Sequence, residues 1–496
     1  MVAALGFDKP ARFERKEFDR RAKEAMSELS HKELEAPGLS RSDEVDLLVV
    51  GAESVVTMDG GGEINGGWVA ISDARISGIG TAGTEPAARR VLSANGCLVT
   101  PGLINTHHHM FQNLTRSYAP ATKATLFSWL TTLYPLWSRL DEESAYLSAW
   151  IGLAELALGG CTTSTDHLYV HPPGSGDLIA AEIRAAQELG MRFHPTRGSM
   201  SVSEKDGGLP PDSVVEDEDR ILAESERLVA RFHDPSPDSM VQLALAPCSP
   251  FSVSTRLMTE TAELAERLDV RLHTHFAEDP DEDAYCLATY GLRPYELLDQ
   301  VGWAGSRSWV AHCVYPSGGE ITKLASAGVG VAHCPSSNMM IAQGLAPIGE
   351  LRAAGVAVGL GCDGSSSTDS ASLWLEARTA MLCARLRQGP DAIGARDALE
   401  IATLGGAACL GRAGEIGVLR PGAAADLVCW PLEGIPFAGA LTDHVEAWLR
   451  CGPSAARHTV VAGRVVVEDG TLRAGGVEEM LARHRNAAKR IQNFEV

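Results

Sequence analysis

The chain has 496 residues, 45% of them hydrophobic and 22% charged, ordinary values for a globular enzyme with one large α/β domain and a smaller module. A formal charge of −21 argues against a nucleic-acid partner, which needs a basic surface to displace counterions, and favours a small, roughly neutral ligand. The 11 cysteines are odd in number and never form a C-x-x-C pair, so they read as reduced thiols in a cytoplasm and not as a disulfide framework.

Residues 1–44 are polar and dense in charge, with weak helical spacing at Phe18, Ala22, Met26 and Leu29; they read as an exposed arm. The start lacks the apolar centre of a signal peptide, and no run approaches the roughly 18 apolar residues of a bilayer span, so a cytoplasmic protein with no membrane partner is expected. Over 45–99 the short runs VDLLVV, SVVTM and WVAISDARISGIG, punctuated by Gly and Asp, have the texture of a β-meander. Between 100 and 405, eight apolar runs alternate with helix-like stretches such as EIRAAQELG and TETAELAERLD. Eight parallel βα units are the count of a closed (β/α)₈ barrel. Residues 406–475 return to β-texture (GVLRPGAAADLVCW, HTVVAGRVVVEDG) and are expected to complete the meander as a small discontinuous β-sandwich, and 476–496 read as a C-terminal helix.

Polar residues gather where the barrel runs end: His107 and His109, Asp166 and His167, Arg197, His273, His275 and Glu278, His312, His333, and Asp363. Barrel active sites form at that rim, so these distant positions converge there. In PGLINTHHH, strand alternation points His107 and His109 to one side and His108 to the other. His107 and His109 can therefore share a metal, with His275 and Asp363 as further donors from facing strands. Three imidazoles and one carboxylate suit Zn²⁺ or Fe²⁺ and leave room for a water, whose pKa the ion would bring towards neutrality.

PGLINTHHH, LHTHFAE, WVAHC and GLGCDGSSS, in this order, resemble the amidohydrolase superfamily from about 45 to 475. The resemblance implies a (β/α)₈ barrel with a flanking β-sandwich and metal ligands at His107, His109, His275 and Asp363. It makes His275 the ligand of the two histidines in HTH, because Glu278 follows three positions later as the proton shuttle; His273 is then a supporting residue. Binuclear members carry a carboxylated lysine on the fourth strand, whereas VQLALAPCSP has none, so a single metal is expected as in the deaminase branch. In the implied roles Glu278 moves a proton from water to a ring nitrogen, His312 stabilises developing negative charge, and Asp363 carries a proton to the leaving amine.

NTHHHMFQNLTR, FSWLTTLYPLW, TRGSMSVSEKDGGLPPDS, LAPCSPFSV and HCPSSNMM narrow the resemblance to the bacterial 8-oxoguanine deaminases of that superfamily, with Gln112, Trp129 and Arg197 carried over as substrate contacts. A planar purine with carbonyls needs a guanidinium or amide to pair with and an aromatic wall to stack on. Trp129 and Tyr134 could equally be helix packing over the barrel mouth. Ser367-Thr368-Asp369, Met340 and the loop CVYPSGG depart from the pattern. These departures keep open an s-triazine amino- or chlorohydrolase and a guanine or pterin deaminase. A non-catalytic scaffold of the same fold is the alternative of another class, but such proteins lose ligands or the shuttle, and all are present here. The nucleic-acid-editing deaminases need P-C-x-x-C, and APCSPF lacks the second cysteine. A homodimer or higher homo-oligomer is expected for the fold.

Overall fold

The structure is a computed structural model that describes residues 44–440 and 442–493. The arm expected over 1–44 lies, apart from Glu44, outside the described residues.

Eight strands close into a parallel barrel: β1 (Leu103–Asn105), β2 (Cys161–Leu168), β3 (Arg192–Ser199), β4 (Ala244–Pro247), β5 (Arg271–Phe276), β6 (Ser308–His312), β7 (Gly330–His333) and β8 (Val358–Leu360). Each pairs with its neighbours in chain order, and β8 closes on β1 through Leu360 opposite Asn105. The connecting helices carry their own start and stop signals. Helix Leu178–Leu189 begins at Asp177, whose carboxylate accepts the Ala180 N–H, and ends at Gly190, where φ is +76°. Helix Thr255–Leu268 begins at Ser254, whose hydroxyl accepts the Leu257 N–H at 3.0 Å.

The β-textured ends meet in one mixed sheet of nine strands, five from Val45–Pro101 and four from Leu427–Leu472. The halves join where Cys97–Pro101 runs antiparallel to Leu427–Pro431. Val55, Val69, Val99, Leu427 and Val460 form part of a separate core on this sheet. A buried ion pair ties it to the barrel: on β3, Arg192 donates to Asp426 from Nε at 2.9 Å and from Nη2 at 3.1 Å.

Two helices frame the barrel mouth. Helix Leu126–Trp137 buries Trp129, Leu133, Tyr134 and Trp137 over the segment that follows β1. The last helix, Val477–Gln492, braces that same segment: Gln492 Nε2 donates to the Leu114 carbonyl at 2.6 Å, and His484 Nε2 meets Asn113 Oδ1 at 2.7 Å. Among the described residues, no helix is long and apolar enough to cross a membrane.

Candidate active site

Past Asn105 and Leu360 the ladder between β1 and β8 stops, then resumes with His108–His109 opposite Asp363–Gly364. That displaced rung carries Asp363 to the histidines. Nε2 of His107 and Nε2 of His109 each lie 3.3 Å from Asp363 Oδ1, and His275 Nε2 on β5 lies 3.2 Å from His109 Nε2. His108 turns away, and its Nδ1 accepts the His109 N–H at 2.8 Å.

Hydrogen bonds behind the rings decide which nitrogens are bare. His109 Nδ1 lies 2.7 Å from the His167 carbonyl and His275 Nδ1 lies 2.8 Å from the Cys248 carbonyl. A carbonyl can only accept, so each Nδ1 carries the proton. Burial pushes both imidazoles down to about 4, so they are neutral and each Nε2 keeps a free lone pair. His107 follows through a relay. His273 Nδ1 donates to the Trp309 carbonyl at 2.9 Å, which leaves His273 Nε2 to accept from His107 Nδ1 at 2.7 Å. The fully buried His107 Nε2 then has no hydrogen-bond partner. Three lone pairs and a carboxylate oxygen thus face one another with no proton among them. Donors about 2.0–2.1 Å from a tetrahedral ion stand about 3.3–3.4 Å apart, so the donor set fits one divalent metal. The His167 ring stands in the same cluster, with its Nε2 bonded to the Ala246 carbonyl at 3.0 Å.

Glu278 and His312 stand beside this point. His312 Nε2 is 3.5 Å from Glu278 Oε1 and 3.9 Å from Asp363 Oδ2. Each is held from outside the barrel strands: Asn338 Oδ1 meets His312 Nδ1 at 2.8 Å, and Gln343 Nε2 donates to Glu278 Oε1 at 2.5 Å. The backbone is strained at these strand ends, with φ of +48° at Ala277, +70° at His312 and +56° at Asp363. Left-handed backbone at non-glycine residues persists only where surrounding contacts enforce it.

A cavity opens above, with His109, His275, Glu278, His312 and Asp363 lining it. Its walls are aromatic, with Phe127, Trp129, Tyr134, Tyr169 and Phe251 among them. The Trp129 indole N–H donates to the Ser366 carbonyl at 3.2 Å, so the ring is both anchored and part of the wall. Gln112 also lines the cavity, and its buried Oε1 has no partner. A β-carbon on Gly364 would overlap the Gln112 carboxamide, which explains a glycine directly after Asp363.

Residues 98–466 match the amidohydrolase family. The chain belongs to that family. This amidohydrolase is 47% identical over 427 residues to an 8-oxoguanine deaminase of Pseudomonas aeruginosa, an alignment covering 86% of this chain and 95% of the relative. It is 36% identical over 451 residues to a hydroxydechloroatrazine ethylaminohydrolase of a Pseudomonas species, covering 87% and 92%. A zinc-bound atrazine chlorohydrolase of Arthrobacter aurescens superposes with a TM-score of 0.85 at 34% identity, over 89% of this chain and all of the other.

Of the residues singled out in the sequence, the amidohydrolase site gathers His107, His109, His275, Glu278, His312 and Asp363, with Gln112 and Trp129 in the wall. Arg197 is the correction. It is 2% exposed, yet its guanidinium does not face the cavity: Nη2 bonds both oxygens of Glu216, at 3.0 and 2.9 Å, and Nη1 bonds the Gly198 carbonyl. The cause is strand alternation. A β-carbon on neighbouring Gly198 would meet the His167 ring inside the barrel, so Arg197 faces the helices. His333 is buried with neither ring nitrogen partnered and does not line the cavity. Sequence reasoning missed Asn338, Gln343 and Tyr169. Asn338 lies within HCPSSNMM, whereas Gln343 follows it in a loop and carries no signal of its own.

Proposed function

We propose that this amidohydrolase removes an amino group hydrolytically from a nitrogen heterocycle, and that the heterocycle is 8-oxoguanine, converted to urate and ammonia. The observation that carries the reading is the meeting of three bare imidazole nitrogens and one carboxylate beside Glu278 and His312. The 47% identity to an 8-oxoguanine deaminase supports the choice of ring. In this reading His107, His109, His275 and Asp363 hold one ion. Zinc is the assignment, since it favours four such ligands and a zinc-bound relative shares the fold; iron(II) accepts the same donors.

Bound there, a divalent ion makes water acidic enough to serve as a nucleophile near neutral pH. The remaining work belongs to the chain's own groups. Glu278, fixed through Oε1 by Gln343, takes a proton from the attacking water and delivers it to the ring nitrogen next to the amino-bearing carbon. Asn338 can present either end of its amide to His312 Nδ1. With the NH₂ end forward, His312 carries its proton on Nε2 and keeps it there while hydrogen-bonding the oxygen that gains negative charge. Asp363, ionised at the start, takes the second proton of the attacking water through Oδ2 and hands it to the departing nitrogen. The water oxygen has then joined the ring carbon, the carbon–nitrogen bond is broken, and nitrogen leaves as ammonia. The aromatic wall suits a flat purine, and the unpartnered Gln112 Oε1 suits an N–H on its edge.

The test is ammonia release by purified, metal-replete enzyme from 8-oxoguanine, guanine, isocytosine, pterins and hydroxylated triazines. The reading expects the highest kcat/KM on 8-oxoguanine. Turnover of a triazine or pterin with none of 8-oxoguanine would overturn the substrate and leave the hydrolytic site standing.

A further inference from the structure

Glu282 is a buried acid for which the chemistry above has no use. It sits in the first turn of helix Pro280–Tyr290, is 2% exposed and forms no ion pair among the described residues. Its carboxylate is spent on the backbone: Oε1 accepts the Ala277 N–H at 2.9 Å and Oε2 accepts the Glu278 N–H at 3.0 Å. A glutamate at this helical position ordinarily reaches back to the residue that caps its own helix, here Asp279. Glu282 passes over the cap and binds the two residues before it.

Those two N–H groups flank the strained point of the strand end. Ala277 has φ of +48°, and its carbonyl accepts the N–H groups of Val314 and Tyr315, both at 2.9 Å. The Ala277 backbone is therefore gripped from the β6 side through its carbonyl and from Glu282 through its N–H. Burial pushes the Glu282 carboxyl up to about 8, and the two N–H donors oppose that rise by favouring the charged form. A buried acid with no countercharge is costly to keep, so the aim of both its oxygens at one turn points to a use for that turn.

We propose that Glu282 is a positioning residue for Glu278: it clamps the left-handed turn at Ala277 and so fixes the direction in which the Glu278 side chain leaves the end of β5. The proposal rests on the reading of Glu278 as the proton shuttle. It concerns the proton-transfer geometry alone and not the metal or substrate affinity.

The test is a double-mutant cycle on the metal-loaded enzyme, with metal content, thermal midpoint, KM and kcat measured for each member. Glu282→Gln keeps the volume but replaces one acceptor with an NH₂ that faces a backbone N–H. It is expected to fold, hold its metal and keep KM, while kcat falls by about 10- to 100-fold, the scale of a misplacement near 1 Å. In the Glu278→Gln background the same change is expected to cost no further activity, because Glu282 acts only through Glu278. An equal fold-loss in both backgrounds, or an unchanged kcat in Glu282→Gln alone, overturns the proposal. Full activity in Glu278→Gln alone would instead overturn the shuttle reading, and the clamp with it. If Glu282→Gln does not fold, Glu282→Asp replaces it in the same cycle, since it keeps the carboxyl group but falls one methylene short of the turn. If neither folds, Glu282 is a folding group and the proposal fails.

Discussion

His273 does not line the active-site cavity, yet it settles which nitrogen of His107 is free. His273→Phe should weaken metal binding without abolishing it. The phenyl ring keeps the stack on Trp309, where the centroids lie 4.4 Å apart at an interplanar angle of 18°. Both nitrogens disappear, so the His107 Nδ1–H loses its acceptor and the Trp309 carbonyl its donor in a fully buried place. His107 can then move its proton to Nε2, the atom facing the other donors, and metal binding must reverse that step. Loss of such an outer partner costs about 10- to 100-fold in metal affinity. That is about 1.4–2.8 kcal/mol, in line with the roughly 1–3 kcal/mol cost of leaving one buried polar group unpaired. The assay is a Zn²⁺ titration against a chelator of known affinity, with the thermal midpoint of the metal-free proteins as the control for folding. The predicted Kd rises by that factor, and kcat at saturating zinc changes less. An affinity within about twofold of the parent would refute the relay through His273. A folded variant that binds no zinc at all would show that His273 is itself a ligand.

Three further outcomes follow from the same geometry. His107→Ala and His109→Ala should each lose bound metal and activity together, while His108→Ala keeps its metal, as elemental analysis of the purified variants will show. Glu278→Gln should retain its metal and lose at least about 10²-fold in turnover, and steady-state kinetics at full metal loading would expose any smaller effect. Arg197→Met should leave KM and metal content alone but destabilise the fold by about 3–5 kcal/mol, because the Glu216 carboxylate loses its partner at a site where the two side chains are only 1% and 8% exposed. Urea unfolding reads that loss, and Arg197→Met with Glu216→Gln should recover much of it; a change in KM would return Arg197 to the substrate site.

The barrel was legible because its eight strands are short buried runs, each followed by a helix, and that rhythm survives in the sequence. The strand period of two was enough to set His108 apart from His107 and His109. The same rule, applied to Arg197 and Gly198, separates the two faces of β3; polarity at a strand end suggested the cavity, but the side chain belongs to the helix layer. Other features have no local signal. The break in pairing between β1 and β8 that delivers Asp363, and the left-handed backbone at Ala277, His312 and Asp363, depend on contacts between distant segments. Asn338 and Gln343 reach His312 and Glu278 from a helix and loop beyond β7, so only the folded chain reveals what they hold. The two β-textured ends announced a shared module, but not that they join into a single nine-stranded sheet along Cys97–Pro101 and Leu427–Pro431.

The claim on which the account turns is that one divalent ion, held by His107, His109, His275 and Asp363, makes this chain a deaminase. Metal per chain, measured by elemental analysis alongside ammonia release from 8-oxoguanine in a series of partly chelated samples, tests it most directly. The account predicts activity that rises in proportion to bound metal and reaches its full value at one ion per chain. Two ions per chain at full activity, or ammonia release that persists after the metal is removed, would contradict it.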